Sequence, residues 1–409
     1  MAARQKRLLD RIKDKDFKLQ SLLETTKAIN NKVGTDELLA IYKTTLKDDL
    51  KIEKVILFAF DGAWKCILKY GVEGEIGEIA DEAYFNQSNT ISLNIESSVT
   101  DEAFDIVIPV SHNDKPIAYL LVGDIGEQEI KVSPVIKHMN FIQTFTNVIL
   151  VAIENEKMTA DILRQERTKK ELELAAEMQA LLVPDSLPKN DLHEIAAVYK
   201  PHQQVGGDYY DFMQLNEKEI MFCMADVSGK GVSAAFLMSN FQAYLRAIFT
   251  YCSMTLEEVV RELNERVMSS AMGEKYITFF IAIFNNETRE LRYINCGHNP
   301  PVSINPKGES ELLSLGSIGL GMFEEIPTVA EGQLILEKNA LVVCYTDGLV
   351  ELENEQNEEY SLEALEKLIL ENLDRTPEQL NRIIMNSLED YRGSMPYIDD
   401  TALLTCRLF

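Results

Sequence analysis

Between Pro134 and Pro184 lie 49 residues with neither glycine nor proline, and no other feature of the sequence so narrows what the chain can fold into. A stretch of that length, rich in Glu, Lys, Leu, Met and Ala, has one ready solution, a continuous helix of about 70 Å at ~1.5 Å per residue. Ser133 ahead of Pro134 supplies an N-cap followed by proline at the first helical position. A rod that long outgrows a single core and divides the chain into a part before it and a part after it. Length agrees, since 409 residues exceed the ~100 to 200 of a typical domain, and at least two domains are expected.

Before the rod, residues 1–31 carry Leu8, Leu9, Ile12, Leu19, Leu22 and Leu23 at helical spacing. A turn at Gly34-Thr35-Asp36 opens a second helix. From Lys54 the period changes to two: VILFAF, an Asp61-Gly62 turn and WKCILKYG read as a hairpin, with further strands near ISLNI, DIVIPV and IAYLLVG. Helices framing an antiparallel sheet make an α+β domain, and the first half of the long helix is expected to pack on that sheet. In a heptad register begun at Val151, six of ten a and d positions are apolar, with Asn155, Gln165, Lys169 and Gln179 polar. A parallel dimeric coiled coil and a solvated spacer helix both satisfy that pattern. The resulting partition is a basic helix over 1–20, a domain over 21–150, a linker helix over 151–183 and a second domain over 184–409.

The second domain shows strands near EIAAVYK, EIMFCMAD, YITFFIAIF, ELRYINC, ALVVCYTD and TALLTCRLF. Two helices stand between the second and third of these and one or two more follow Ser361. Strand clusters separated by paired helices predict a two-sheet sandwich with helices outside, in place of alternating βαβ units.

Charge removes several classes of function. The chain has 66 acidic and 40 basic residues, a net charge of −26, and its only basic segment is residues 1–20, with seven Lys/Arg against three Asp. Nucleic acid and anionic membranes would repel such a chain. No run approaches the ~18 apolar residues of a membrane span. The N-terminus lacks an uninterrupted apolar core, so no signal peptide is expected. Six scattered cysteines without a C-x-x-C pair argue against zinc and against a disulfide framework, and the expected compartment is the reducing cytoplasm.

Within that acidic background four positions share one grammar, read as an apolar strand ending in Asp and released by Gly, Ser or a second Asp. They are Asp208 in VGGDYYDF, Asp226 in MFCMADVSGKG, Asp347 in LVVCYTDGLVE and Asp399-Asp400 in YIDDTALL, none expected to be matched by a basic neighbour. Singly, each is most simply a turn. Together, carboxylates aimed at one point repel unless a cation neutralises them, and oxygen-only donors select Mg²⁺ or Mn²⁺ over zinc or copper. Two such ions would activate a water for attack on phosphorus.

The ordered motifs GGDYYDF, ADVSGKGVSAAFLMS, INCGHNPP, YTDGLVE and DDTALL resemble the SpoIIE/RsbU branch of the PPM metal-dependent serine/threonine protein phosphatases, over about residues 184–409. The resemblance implies an αββα sandwich with two Mn²⁺ or Mg²⁺ ions. Asp208, Asp226 and the carbonyl of Val227 would hold one, and Asp226, Asp347 and Asp399 the other. Asp400, Asp211, Lys230 and His298 would surround them, with the order of Asp399 and Asp400 open. Lys230 reads either as a phosphate-steering group or as a solvated lysine, and His298 either as a proton donor or as a turn residue. The first domain resembles a GAF sensor, and ELELAAEMQALLVPDSLP resembles the junction helix of RsbU-like proteins. A homodimer through that helix and a phosphorylated STAS-type anti-sigma-factor antagonist as substrate are thereby implied. A catalytically silent docking module is the competing reading, and a nucleotide cyclase a more distant one, since no G-x-x-x-x-G-K-[ST] loop occurs.

Overall fold

The stretch without glycine or proline forms one 47-residue helix, Pro134–Ala180, in a computed structural model that describes residues 2–73, 76, 92–96, 103–112, 115–123, 134–184, 186–271 and 273–409. Ser133, assigned as its cap, lies outside the described residues. The chain divides within this helix into two units, Met1–Glu166 and Arg167–Phe409.

The first unit opens with α1 (Ala2–Asn30) and α2 (Thr35–Thr44), the latter running into a π-helical turn over Thr45–Asp49. Strands β1 (Lys54–Phe60), β2 (Trp64–Tyr70), β3 (Ser92–Glu96), β4 (Ala103–His112) and β5 (Lys115–Gly123) follow. They form an antiparallel sheet in the order β2-β1-β5-β4-β3, with the expected β1–β2 hairpin closing on Phe60 and Trp64. The alternation along β1 sends Val55 and Leu57 to one face, against Tyr42 and Leu46 before the sheet and Phe145 and Ile149 of the long helix, now α3. Ile56 and Phe58 go to the other face, with Trp64, Phe104 and Tyr119. The first half of α3 therefore covers the sheet as its apolar pattern requires, and the Tyr42 hydroxyl lies 2.6 Å from Thr146 Oγ1.

In the second unit the order is β6 (His193–Lys200), β7 (Tyr209–Gln214), β8 (Glu219–Val227), α4 (Val232–Tyr251), α5 (Leu256–Ala271), β9 (Ile277–Asn285) and β10 (Glu290–Cys296). Then come the short β11 (Val302–Ile304), β12 (Ser310–Leu312), β13 (Gly316–Ser317) and β14 (Gly332–Ile335). The chain ends with β15 (Ala340–Tyr345), α6 (Asp347–Val350), α7 (Leu362–Leu370), α8 (Pro377–Arg392) and β16 (Thr401–Leu408). One sheet runs β13-β10-β9-β8-β7 with β14 paired to β10, the other β12-β11-β15-β16-β6. Period-two alternation again serves two faces. Phe222, Phe280 and Phe284 meet Val342, Cys344 and Leu404 between the sheets. Cys223, Phe279 and Ile281 pack outward beneath Leu237, Phe241 and Leu263 of α4 and α5. Leu341, Val343 and Leu403 pack beneath α7 and α8. The layers are helix, sheet, sheet, helix, as the strand and helix spacing predicts. The six strands read from sequence are present; β7 and the four short strands β11–β14 are additions.

Candidate active site

Antiparallel pairing puts the start of one strand beside the end of its neighbour, and this assembles the acidic residues. Tyr209 pairs with Ala225 and Asp226 with Thr278, so Asp208, just before β7, lies by Asp226 near the end of β8. In the other sheet Tyr345 pairs with Leu403, so Asp347, just after β15, lies by Asp399 and Asp400, just before β16. The reading that every acidic residue closes a strand is corrected: Asp226 and Asp347 lie at strand ends, whereas Asp208, Asp399 and Asp400 precede strands. Alternating strand direction makes the two positions equivalent in space.

Glycines let the segments approach. A Cβ on Gly348 would sit 2.1 Å from the carbonyl oxygen of Asp400, and one on Gly206 would sit 2.4 Å from Asp400 Oδ2, so no larger residue fits either place. The Thr346 hydroxyl ties the two sheets together, donating to Asp208 Oδ2 at 2.8 Å and accepting from the Ala402 amide at 2.8 Å.

Electrostatics separate the carboxylates into kinds. Burial, then the charges of Asp226 and Asp400, raise the Asp208 carboxyl well above its ordinary range, against the hydrogen bond from Thr346. Burial, then Asp347, lift Asp226 to about 7, while a hydrogen bond with the Asp208 carboxyl works the other way. Asp347 is raised by burial and by Asp399, opposed by the Gly348 amide and by Lys230. These groups are held where their charges repel.

Asp399 and Asp400 differ. Asp400 is 7% exposed and accepts backbone amides on both oxygens, His202 N–H at 2.7 Å and Gly207 N–H at 2.6 Å. Asp399 is more open and meets Lys230 Nζ at 2.8 Å. The expectation that no base accompanies the carboxylates is thus overturned for Asp399. Lys230, 169 residues away in sequence, also donates to the Ile398 carbonyl, and is a paired group, not a free solvated one. Among the described residues it is the only base in an ion pair with any of the five.

Asp211 belongs to another structure. It is fully buried, takes both Nε and Nη2 of Arg246 at 2.7 Å, and accepts from the Tyr209 hydroxyl. Sequence inspection finds no arginine near this motif because Arg246 comes from α4, 35 residues on. Asp211 therefore anchors α4 to β7 and has no oxygen turned to the acidic group. His298 is also buried, its amide donating to Asn295 Oδ1 at 2.8 Å and its Nδ1 lying 2.9 Å from Thr278 Oγ1. Burial pushes its pKa down to about 4, which favours the neutral ring.

The donor set fits a hard divalent cation: oxygen ligands only, mutually repelling, with Asp226 between the two sheets' contributions and the Tyr199 hydroxyl buried beside them without a protein partner among the described residues. Among those residues no three His, Cys, Asp or Glu side chains close on a ready-made cage. Asp208 is turned to Thr346 and Asp399 to Lys230.

Residues 216–409 match the family model of Stage II sporulation protein E (SpoIIE). Phosphoserine phosphatase RsbU of Bacillus subtilis (strain 168) is 29% identical over 245 residues, 59% of this chain and 71% of RsbU. Phosphoserine phosphatase RsbP of the same organism is 28% identical over 187 residues, 45% of this chain and 46% of RsbP. The SiaA-PP2C domain of Pseudomonas aeruginosa superposes with a TM-score of 0.53 at 18% identity, covering 60% of this chain and 99% of that domain, which establishes the shared fold. Over residues 216–409 the chain is therefore similar to the SpoIIE family, and its second unit has the PP2C fold.

Proposed function

We propose that this protein is a metal-dependent phosphatase that hydrolyses phosphoserine or phosphothreonine on a signalling protein. The observation that carries the reading is the gathering of Asp208, Asp226, Asp347 and Asp399 at adjoining edges of two sheets, where burial and mutual repulsion raise three of them. Asp208, Asp226 and the Val227 carbonyl would hold one Mn²⁺ or Mg²⁺ ion, and Asp226, Asp347 and Asp399 a second. Such ions, when bound, neutralise the carboxylates and acidify a water for in-line attack on phosphorus. The protein's own part is rigidity. Thr346 orients Asp208; Asp400 is buried with both oxygens on the His202 and Gly207 amides, whereas Asp399, with Oδ1 on the Asp400 amide and Oδ2 on the partly exposed Lys230, is the more accessible, which favours Asp399 over Asp400 as the ligand. Lys230, beside Asp399, is placed to meet phosphoryl oxygens.

The relatives named phosphoserine phosphatase support phosphoserine as the substrate group, and a STAS-type anti-sigma-factor antagonist is the proposed bearer. The N-terminal unit is proposed to be a GAF-like sensor whose state reaches the phosphatase through α3. The exposed Met158, Ile162 and Leu163 on α3 support a homodimer along that helix.

Phosphate release from an aryl phosphate by the full chain, with Mn²⁺ added or chelated, tests the core of the reading. Wild type is expected to turn over only with metal. Asp226→Asn and Asp347→Asn are expected to lose activity by about 10³-fold or more with the far-UV dichroism unchanged. Normal turnover by either variant with metal dependence intact would sink the assignment.

A further inference from the structure

Gln179 stands in the last turn of α3 with only 8% of its surface exposed, an unusual burial for a polar side chain at a helix end. Its carboxamide is spent on a single residue. Nε2 donates to the Gly206 carbonyl at 2.7 Å, and Oε1 accepts the Gly206 amide at 3.1 Å. A side chain thus makes the two bonds a neighbouring strand would make, and fixes the peptides on both sides of Gly206.

Gly206 has little freedom to do otherwise. A Cβ there would lie 1.9 Å from the Tyr199 hydroxyl and 2.4 Å from Asp400 Oδ2, so the backbone runs against the tips of those two side chains. Gly207, the next residue, gives its amide to Asp400 at 2.6 Å, and Asp208 follows at once. The path from helix to carboxylate is one side chain and two residues of pinned backbone. The helix end is fixed in turn: just beyond it the Leu182 carbonyl accepts from Gln242 Nε2 of α4 at 3.1 Å, and Leu182 and Val183 pack on the core beneath β8.

We infer that Gln179 is a positioning residue, which through the Gly206 peptides sets where Asp208 stands against Asp226, so that the end of the linker helix and the cation-binding carboxylates hold one geometry. The inference rests on Asp208 being a ligand, as proposed above. A residue that only filled space would be replaceable by an apolar one of similar size. Here the replacement would leave a buried N–H and a buried C=O without partners, and the segment bearing Asp208 would move to satisfy them.

Calorimetric titration of Mn²⁺ into the full chain tests this without relying on turnover. In Gln179→Leu the Mn²⁺ dissociation constant is expected to rise on the order of tenfold, as for other residues that orient a ligand from behind. The Mn²⁺ concentration giving half-maximal phosphate release should rise by the same factor, with turnover at saturating Mn²⁺ within about twofold of wild type. Gln179→Glu keeps an acceptor for the Gly206 amide and loses the donor at neutral pH. Unchanged Mn²⁺ affinity in a folded Gln179→Leu overturns the inference. If that variant does not fold, unchanged affinity in Gln179→Glu does the same. A wild-type chain that binds Mn²⁺ and releases no phosphate would defeat the phosphatase reading alone, and the change in affinity would still decide the role of Gln179.

Discussion

Asp208 and Asp211 stand three residues apart in one motif and are buried alike, at 1% and 0% exposure, yet they live in opposite surroundings. Asp211 has a dedicated cation, the guanidinium of Arg246 held at 2.7 Å on both oxygens, together with the Tyr209 hydroxyl. Asp208 has the Thr346 hydroxyl and otherwise faces Asp226 and Asp400. Burial therefore does not distinguish a structural carboxylate from a functional one; the sign of the neighbouring charge does. A paired acid contributes to folding, whereas an acid packed against other acids destabilises the metal-free fold and is tolerated where a cation will arrive.

The largest expected effect follows from exchanging those surroundings. Arg246→Met leaves Asp211 buried without its partner and is expected to cost about 3 to 5 kcal/mol in denaturant unfolding. Asp208→Asn removes one member of a repelling group, so the metal-free protein should unfold at the same denaturant concentration or a higher one, while metal-dependent activity is lost. A stability loss for Asp208→Asn as large as that for Arg246→Met would collapse the distinction.

A buried group that is neither paired nor repelled gives an intermediate case. His298 is held neutral by burial, with a pKa near 4 against an ordinary value of 6.5. Its folded pKa is depressed, so the unfolded chain binds the extra proton first, and stability is lost as pH falls from about 6.5 toward 4. Between pH 7 and pH 5 this group alone should cost about 2 kcal/mol. Urea unfolding of wild type and His298→Gln at both pH values checks it: the variant should lack this increment. Equal pH dependence in the two proteins would show that His298 is protonated in the fold or stays unprotonated when unfolded.

The sequence exposes the scaffold of this arrangement more readily than its pairings. The strand runs EIMFCMAD, ALVVCYTD and TALLTCRLF announce themselves because both faces of each strand are buried and the runs are nearly continuous in apolar residues. β7 escapes that signal, since YYDFMQ carries Asp211 in its middle, and the arginine that makes Asp211 tolerable comes from a distant helix. The acidic motifs were legible as positions, because Asp beside Gly at a sheet edge is visible in one dimension. Their partners were not. Lys230 reads as a surface lysine until Asp399 is placed beside it, and Gln179 reads as a polar seam residue of a heptad until Gly206 meets it. Polar side chains carry no mark in sequence of whether water or a buried peptide will satisfy them.

Lys230 supplies the smallest and finest test of the contrast. It is the one cation that the protein itself brings to the acidic group among the described residues, and it reaches Asp399, the most open of the carboxylates, with both side chains over a third exposed. Solvent screens such a pair to a fraction of a kcal/mol up to about 1 kcal/mol, so its loss should hardly alter unfolding. Its effect on cation binding should be visible. The ammonium and a divalent ion compete for Asp399 Oδ2, and Lys230→Met is expected to tighten Mn²⁺ by about two- to fivefold in calorimetry at low salt. The difference should shrink as ionic strength rises, because both charges lie near solvent. Weaker Mn²⁺ binding in Lys230→Met would mean that the lysine holds Asp399 in place for the ion, and Asp399 would then resemble Asp211 more than Asp208.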